Sequence, residues 1–96
     1  MNWEFLRPAE EELEKAARHY NRRQKGLGRR FMREFRMAIS RIIENPEAWT
    51  AISPNARRCL LKKFPYGIIY EIEKDTILIV AVMHLSREPD YWRNRR

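Results

Sequence analysis

The hydrophobic periodicity of the chain changes near its middle, and this change limits the folds that the chain can adopt. Before Asn45 the apolar residues recur with the spacing of helices, whereas from Arg57 onward they recur with the spacing of strands. A helical first half followed by a strand-rich second half predicts an α+β fold. With 96 residues the chain has room for one modest core, so we predict a single domain over residues 1–96.

Two helices are predicted in the first half. Pro8 opens the first helix, because proline suits the first helical position, and Gly26 is expected to cap its C-terminal end in a left-handed conformation. The second helix is predicted from about Arg29 to Glu44 and ends before Pro46, which disfavours helical backbone in the preceding residue. The short link between the two predicts a helical hairpin.

Four strands are predicted around these helices. A short opening strand covers residues 3–6, and three more cover residues 57–64, 66–72 and 76–85. The short turns between the last three predict an antiparallel meander, so the expected order is β-α-α-β-β-β. The last strand is apolar on both faces and is expected to be central. Residues 47–55 are predicted to form a loop.

The chain is strongly basic, since 20 Lys and Arg against 13 Asp and Glu give a net charge of +7. Such a surface attracts nucleic acid or an acidic protein segment. Two basic groups stand out, one along the second helix and one around the second predicted strand: Arg29, Arg33 and Arg36, then Arg57, Arg58, Lys62 and Lys63. Each group is either a solvated, edge-protecting set of charges or a platform for an acidic partner.

Other features bear on location and cofactors. The longest apolar run, residues 77–83, is too short to span a membrane, and the N-terminus lacks the pattern of a secretory signal. Cys59 is the single cysteine and cannot form an internal disulfide, so we expect a reducing, cytoplasmic location and a buried thiol. His19 has no partner at the spacing of metal ligands. We therefore predict no metal, no cofactor and no membrane association.

Four segments together resemble the toxins of the RelE/ParE superfamily of type II toxin–antitoxin modules. They read AEEELEKAARHY, LGRRFMREFRMAISRIIENPEAW, FPYGIIYEI and ILIVAVMHLSREPDYW, and they cover nearly the whole chain. The resemblance implies a small sheet with a helical hairpin on one face. It also implies an intracellular growth inhibitor and a cognate antitoxin, which the basic surface predicts to be acidic and partly disordered.

Two activities occur in this superfamily. ParE-like members act on DNA gyrase, whereas RelE-like members cleave messenger RNA in the ribosome. A metal-independent endoribonuclease needs cations on the scissile phosphate and groups that move protons. The candidates for these roles are Arg58, His84, Arg87 and Tyr91. His84 is suited to acid–base work by its ordinary pKa near 6.5, or it is a half-buried imidazole bonded to the backbone.

Gly67 and Leu60 argue against the nuclease. Gly67 stands where RelE-like members typically carry an arginine, and Leu60 stands where a lysine is expected. We therefore predict a ParE-like toxin that binds gyrase without catalysis. A ribosome-dependent nuclease, a basic nucleic-acid-binding module and an inactive toxin that only binds antitoxin remain alternatives. The predicted partner-binding residues are Arg29, Arg33, Arg36, Arg57, Arg58, Lys62 and Trp92.

Overall fold

A computed structural model describes residues 1–96 and places two helices on one face of a five-stranded sheet. The elements follow the chain as β1 (Asn2–Phe5), α1 (Arg7–Arg23), α2 (Leu27–Glu44), β2 (Thr50–Ala51), β3 (Ala56–Leu60), β4 (Tyr66–Glu73), β5 (Thr76–His84) and a short 3₁₀ helix (Arg93–Arg95). The predicted α+β fold with its helical hairpin is confirmed. Neither α1 nor α2 has both the length and the hydrophobicity of a membrane span.

The sheet has the strand order β1-β5-β4-β3-β2. β1 runs parallel to β5, and the remaining neighbours are antiparallel. β5 lies between β1 and β4 and is buried on both faces from Ile77 to Met83. The predicted central strand is therefore confirmed.

The strands differ from the prediction in two places. Thr50 and Ala51 lie inside the segment 47–55 that is predicted to be a loop. They form β2 and pair with Arg58 and Arg57 of β3. This strand has two exposed residues and no apolar alternation, so its sequence carries no strand signal. β3 ends at Leu60, short of the predicted residue 64, and Lys63 then adopts a positive φ of 69° that is incompatible with a continuing strand.

The turn between the helices corrects the role predicted for Gly26. Its backbone is left-handed, with φ of 86°, but α1 has already ended at Arg23 and Gly26 directly precedes α2. The Asn21 side chain accepts hydrogen bonds from the backbone N–H groups of Gly26 and Gly28 at 3.1 and 3.3 Å. At Gly28 a Cβ atom would lie 2.4 Å from the Ala17 carbonyl oxygen, so glycine permits the close approach of the two helices.

The hairpin packs on what we call the helix face of the sheet. Phe31 and Phe35 of α2 and Leu13 of α1 are buried there against strand residues, which include the predicted buried Cys59. The sheet contributes Cys59, Ile68, Tyr70, Ile77, Ile79 and Val82 to this core. Alternation along each strand directs the intervening side chains to the opposite face.

The opposite face, here called the tail face, is covered by the segment that follows β5. Trp92 of this segment is 4 % exposed and packs in a second cluster with Ala56, Ile69, Val80, Ala81 and Met83. A register shift between Ile69 and Tyr70 leaves Val80 without a partner on β4. This bulge places both Val80 and Ala81 in the second cluster while returning Val82 to the helix face.

Candidate functional site

The end of β5 and the exposed side of α1 enclose a groove of about 370 Å³, here called the β5 groove. His84 and Arg87 both line it, so the structure brings these two candidates together. The other charged or titratable side chains in its lining are Glu12, Lys15, His19, Arg22 and Tyr66. The groove is cationic because one carboxylate faces several lysine and arginine side chains.

His84 is half-buried at the mouth of this groove, with its ring edge-on to Tyr66 at a centroid distance of 5.0 Å. Its Nδ1 accepts the backbone N–H of Ser86 at 3.0 Å, and the Ser86 hydroxyl lies 2.7 Å from the same atom. Because Nδ1 acts as the acceptor, a neutral His84 carries its proton on Nε2. The imidazole is therefore oriented by the turn that follows β5.

Tyr91 contacts Arg87, but its hydroxyl is already occupied. The Arg87 guanidinium lies 3.8 Å from the centroid of the Tyr91 ring, and the phenol donates a hydrogen bond to Glu12 Oε2 at 2.7 Å. Burial raises the pKa of Tyr91, and its hydrogen bond to Glu12 raises it further. The phenol therefore stays protonated and bound to the carboxylate, which makes it a structural group in this conformation.

Glu12 is the centre of a network that joins α1, β5 and the C-terminal segment. Arg95 donates to both carboxylate oxygens at 2.9 and 2.8 Å, and the Val82 backbone N–H donates to Oε1 at 2.9 Å. Burial disfavours the ionised carboxylate, yet the hydrogen bonds from Arg95, Tyr91 and Val82 outweigh burial and lower the pKa of Glu12. Arg95 also donates to the Val80 carbonyl at 2.9 Å, so the two side chains satisfy the carbonyl of the bulged residue and the N–H two residues beyond it.

Arg58 lies on the other side of the sheet from His84. Arg58 pairs across β3 and β4 with Ile69, which belongs to the tail-face cluster. His84 pairs with Tyr66, which packs against the helix-face core. Side chains directly opposite in a strand pair share a face. The sheet therefore separates Arg58 from the β5 groove.

Gly67 accommodates the side chain of Arg58. A Cβ atom at Gly67 would lie 3.1 Å from Arg58 Cγ and 3.2 Å from Arg58 Cδ. The aliphatic part of the Arg58 side chain thus lies over Gly67, the position where a nuclease of this superfamily is expected to carry an arginine. Nε of Arg58 is buried and has no hydrogen-bond partner.

The predicted partner-binding residues fall into exposed and enclosed sets. Arg29, Arg33 and Arg36 are exposed along α2, and Lys62 is exposed after β3. Arg57 is half-buried on the helix face, where it donates to the Trp49 carbonyl at 2.7 Å. The Trp92 indole is buried on the tail face and donates to the Pro89 carbonyl at 2.7 Å, so it is a packing residue in this conformation.

A second concave site, here called the hairpin cavity, lies where the turn between β3 and β4 meets the helical hairpin. Its volume is about 600 Å³, and its lining includes Glu34, which the prediction did not identify. The signal was present, because position 34 lies one helical turn from both Phe31 and Ala38 on the apolar side of α2. No group of three His, Cys, Asp or Glu side chains in the chain is arranged to hold a metal ion.

Comparisons with known proteins identify the family. A family model described as the ParE toxin of type II toxin–antitoxin system, parDE, matches residues 3–89. The match spans most of the chain, and the protein therefore belongs to the ParE toxin family. The predicted membership of the superfamily and its ParE-like branch is confirmed.

A solved structure supports the same fold. A chain from the structure described as "Chromosomal ParDE TA system from P. aeruginosa" matches with a TM-score of 0.77 and 16 % sequence identity. The alignment covers 90 % of this chain and 97 % of that chain. At this identity the likeness establishes the fold alone. Among curated proteins, none matches the chain significantly.

Proposed function

We propose that the protein arrests bacterial growth by binding DNA gyrase and that a cognate acidic, partly disordered antitoxin neutralises it in the cytoplasm. Membership of the ParE toxin family supports the role of toxin within a parDE-type module. Gyrase is the target that the ParE-like resemblance implies. We favour docking over catalysis because the sheet separates Arg58 from His84.

Catalysis of RNA cleavage requires the phosphate-binding cation and the proton-transfer groups to reach the same few atoms. A general acid or base acts within about 3 Å of the proton that it moves. Arg58 faces the tail side of the sheet and His84 faces the helix side, so the two do not converge on one phosphate. Tyr91 is held by Glu12, and Gly67 supplies no side chain to the site. A toxin that acts by surface complementarity needs none of these groups to converge.

The outer surface of α2 is a suitable platform for the acidic antitoxin. Arg29, Arg33 and Arg36 are exposed, and none of them takes part in an ion pair within the chain. An extended or helical acidic segment can therefore pair with them and become ordered on binding. Such pairing steers association and weakens as the salt concentration rises.

The experiment compares three readouts in a bacterial host that lacks the antitoxin: growth, gyrase supercoiling and primer extension on cellular messenger RNA. We expect growth arrest and inhibited supercoiling without cleavage ladders. The His84→Ala variant should remain toxic, whereas combined Arg29→Glu, Arg33→Glu and Arg36→Glu substitutions should weaken capture by the antitoxin at low salt. Unimpaired growth with the intact chain would contradict the proposal.

A ribosome-dependent nuclease is the second candidate, because His84 and Arg87 do share the β5 groove. It predicts cleavage ladders that disappear in the His84→Ala variant while supercoiling stays normal. That pair of results would replace the docking mechanism with a catalytic one. Binding to nucleic acid alone would instead give a strongly salt-dependent affinity without growth arrest.

A further inference from the structure

The hairpin cavity combines a cationic rim with one buried acid. Arg23 reaches it from α1, Arg30 and Arg33 from α2, and Lys63 from the turn between β3 and β4. None of these four cations forms an ion pair within the chain. The cavity therefore presents unneutralised positive charge around a concave surface, which favours an anionic ligand.

Glu34 lies in this cavity without an internal partner. The residue is buried, with 8 % of its surface exposed, and Oε1 is shielded from solvent with no hydrogen-bond partner. A buried carboxylate oxygen that accepts no hydrogen bond is unfavourable in the free protein. The carboxylate thus points to a ligand that brings N–H or O–H donors into the cavity.

The third feature is an apolar wall. Tyr20, Leu27 and Phe64 line the same cavity, and the rings of Tyr20 and Phe64 pack edge-on at a centroid distance of 4.9 Å. Such a wall favours a ligand that also has a flat, weakly hydrated part. A simple inorganic anion has neither that part nor donors for Glu34.

Lys63 reaches the rim of the cavity from a tight turn. Lys63 has φ of 69°, which is uncommon for a residue with a side chain, and it lies directly before two residues of the cavity lining, Phe64 and Pro65. Lys74, in the turn between β4 and β5, has the same left-handed conformation with φ of 53°, so this geometry belongs to the turn. The turn between β3 and β4 thus contributes one cation, Lys63, to the rim.

We propose that the hairpin cavity binds a guanine nucleotide, with the base on Glu34 and the phosphates among Arg23, Arg30, Arg33 and Lys63. Guanine presents an imino and an amino N–H side by side, which matches the two oxygens of one carboxylate when the Glu34 side chain turns Oε1 toward the cavity. Its flat ring suits the apolar wall. The cavity volume of about 600 Å³ lies in the range of small-molecule sites. An acidic peptide would have to meet Glu34 with its backbone N–H groups, because its carboxylates donate no hydrogen bond, and a lysine or arginine side chain would be repelled by the rim.

Calorimetric titration of protein made by cell-free synthesis tests the assignment with GTP, ITP and tripolyphosphate. ITP lacks the amino group at position 2, and tripolyphosphate lacks the base. We expect GTP to bind at least about tenfold more tightly than ITP, because a site built around a hydrogen bond rejects the analogue that lacks it. Equal affinity for all three ligands, or no binding of GTP, would overturn the proposal.

Variants separate the base contact from the phosphate contacts. Glu34→Gln should weaken GTP binding by about tenfold and leave tripolyphosphate binding unchanged or stronger. Arg30→Ala should weaken the binding of both GTP and tripolyphosphate. The control is Arg18→Ala, which removes an exposed helix arginine outside the cavity and should weaken the binding of neither. Melting of the free Glu34→Gln protein at or above the wild-type temperature excludes misfolding as the cause. Unchanged GTP affinity in that variant would overturn the role of Glu34.

This inference goes beyond the proposed function and does not depend on it. The titration uses the isolated chain, so failure of growth arrest or of gyrase inhibition leaves its outcome unaffected. Conversely, absence of GTP binding leaves the toxin assignment intact.

Discussion

Glu12 on α1 and Glu34 on α2 are both largely shielded from solvent, yet their surroundings are opposite. Glu12 accepts four hydrogen bonds, two from Arg95 and one each from Tyr91 and Val82. Glu34 is buried, forms no ion pair, and its Oε1 accepts no hydrogen bond. One carboxylate is fully used by the fold, and the other is not.

The difference indicates which acid stabilises the fold and which is available to a ligand. Removal of one member of a buried, hydrogen-bonded ion pair is strongly destabilising, because it leaves the other charge and its hydrogen-bonding partners unsatisfied. A buried charge without partners lowers stability, and departures of this kind from the rules of folding are expected at functional sites. The predictions below test this contrast through the free energy of unfolding.

The largest effect is expected for Glu12→Ala. Removal of the carboxylate leaves Arg95 charged and partly buried, and frees the Val82 N–H, which should lower the free energy of unfolding by about 3 kcal/mol. Urea denaturation measures this value. Glu14→Ala, an exposed neighbour on α1, is the control and should change stability by less than about 0.5 kcal/mol. Equal effects of the two substitutions would show that the network contributes nothing.

Arg95→Ala should have the next largest effect. It should lower the free energy of unfolding by about 2 kcal/mol near neutral pH, and it should change how that free energy decreases at acid pH. Glu12 has a folded-state pKa below its ordinary value of 4.5, so its contribution is present above that pH and is lost as the pH falls through the lower folded pKa. Without Arg95 the folded pKa of Glu12 rises toward 4.5, and the loss of stability as the pH falls below 4.5 becomes smaller. An equal decrease in the free energy of unfolding at acid pH for the wild type and Arg95→Ala would contradict this account.

Tyr91→Phe is expected to cost about 1.5 kcal/mol, because it removes one hydrogen bond to a charged acceptor. The aromatic ring remains beneath Arg87, so the cation–π contact is retained. Thermal melting together with urea denaturation measures the change. A decrease in the free energy of unfolding as large as that of Glu12→Ala would mean that the packing of the Tyr91 ring, and not the hydrogen bond of its hydroxyl, provides the stabilisation.

The smallest change, and one of opposite sign, is expected for Glu34→Gln. The neutral amide has nearly the same shape and removes a buried charge without a partner, so the free energy of unfolding should stay equal or rise by up to about 1 kcal/mol. Chemical denaturation at neutral pH provides the measurement. Destabilisation comparable to that of Tyr91→Phe would mean that Glu34 has an internal role and would end the contrast with Glu12.

Much of the fold was predictable from local pattern. Apolar spacing identified both helices, and the uninterrupted apolar run of residues 77–83 identified the central strand, because a strand covered on both faces has no polar side. β2 was missed because two exposed residues acquire strand geometry only from their pairing with β3. Gly26 was assigned the correct conformation but the wrong helix, since a left-handed residue suits either end of so short a link.

The candidate site was less predictable. His84 and Arg87 are close in sequence and share a groove, whereas Arg58 was grouped with them although the strand register directs it to the opposite face. Trp92 was expected to bind a partner, and its burial depends on the path of the segment after β5. A charged residue within an apolar helical stripe, as at Glu34, was the one overlooked local signal.

The sequence by itself determined the helical hairpin, the meander, the basic charge and the family of this protein, because each depends on patterns among residues near one another in the chain. The tertiary structure alone decided that Glu12 meets Arg95 across 83 residues and that Oε1 of Glu34 is buried without a hydrogen-bond partner. Periodicity states which side of an element a residue occupies. It does not state which distant segment arrives there, because that depends on the packing of the whole sheet and its tail.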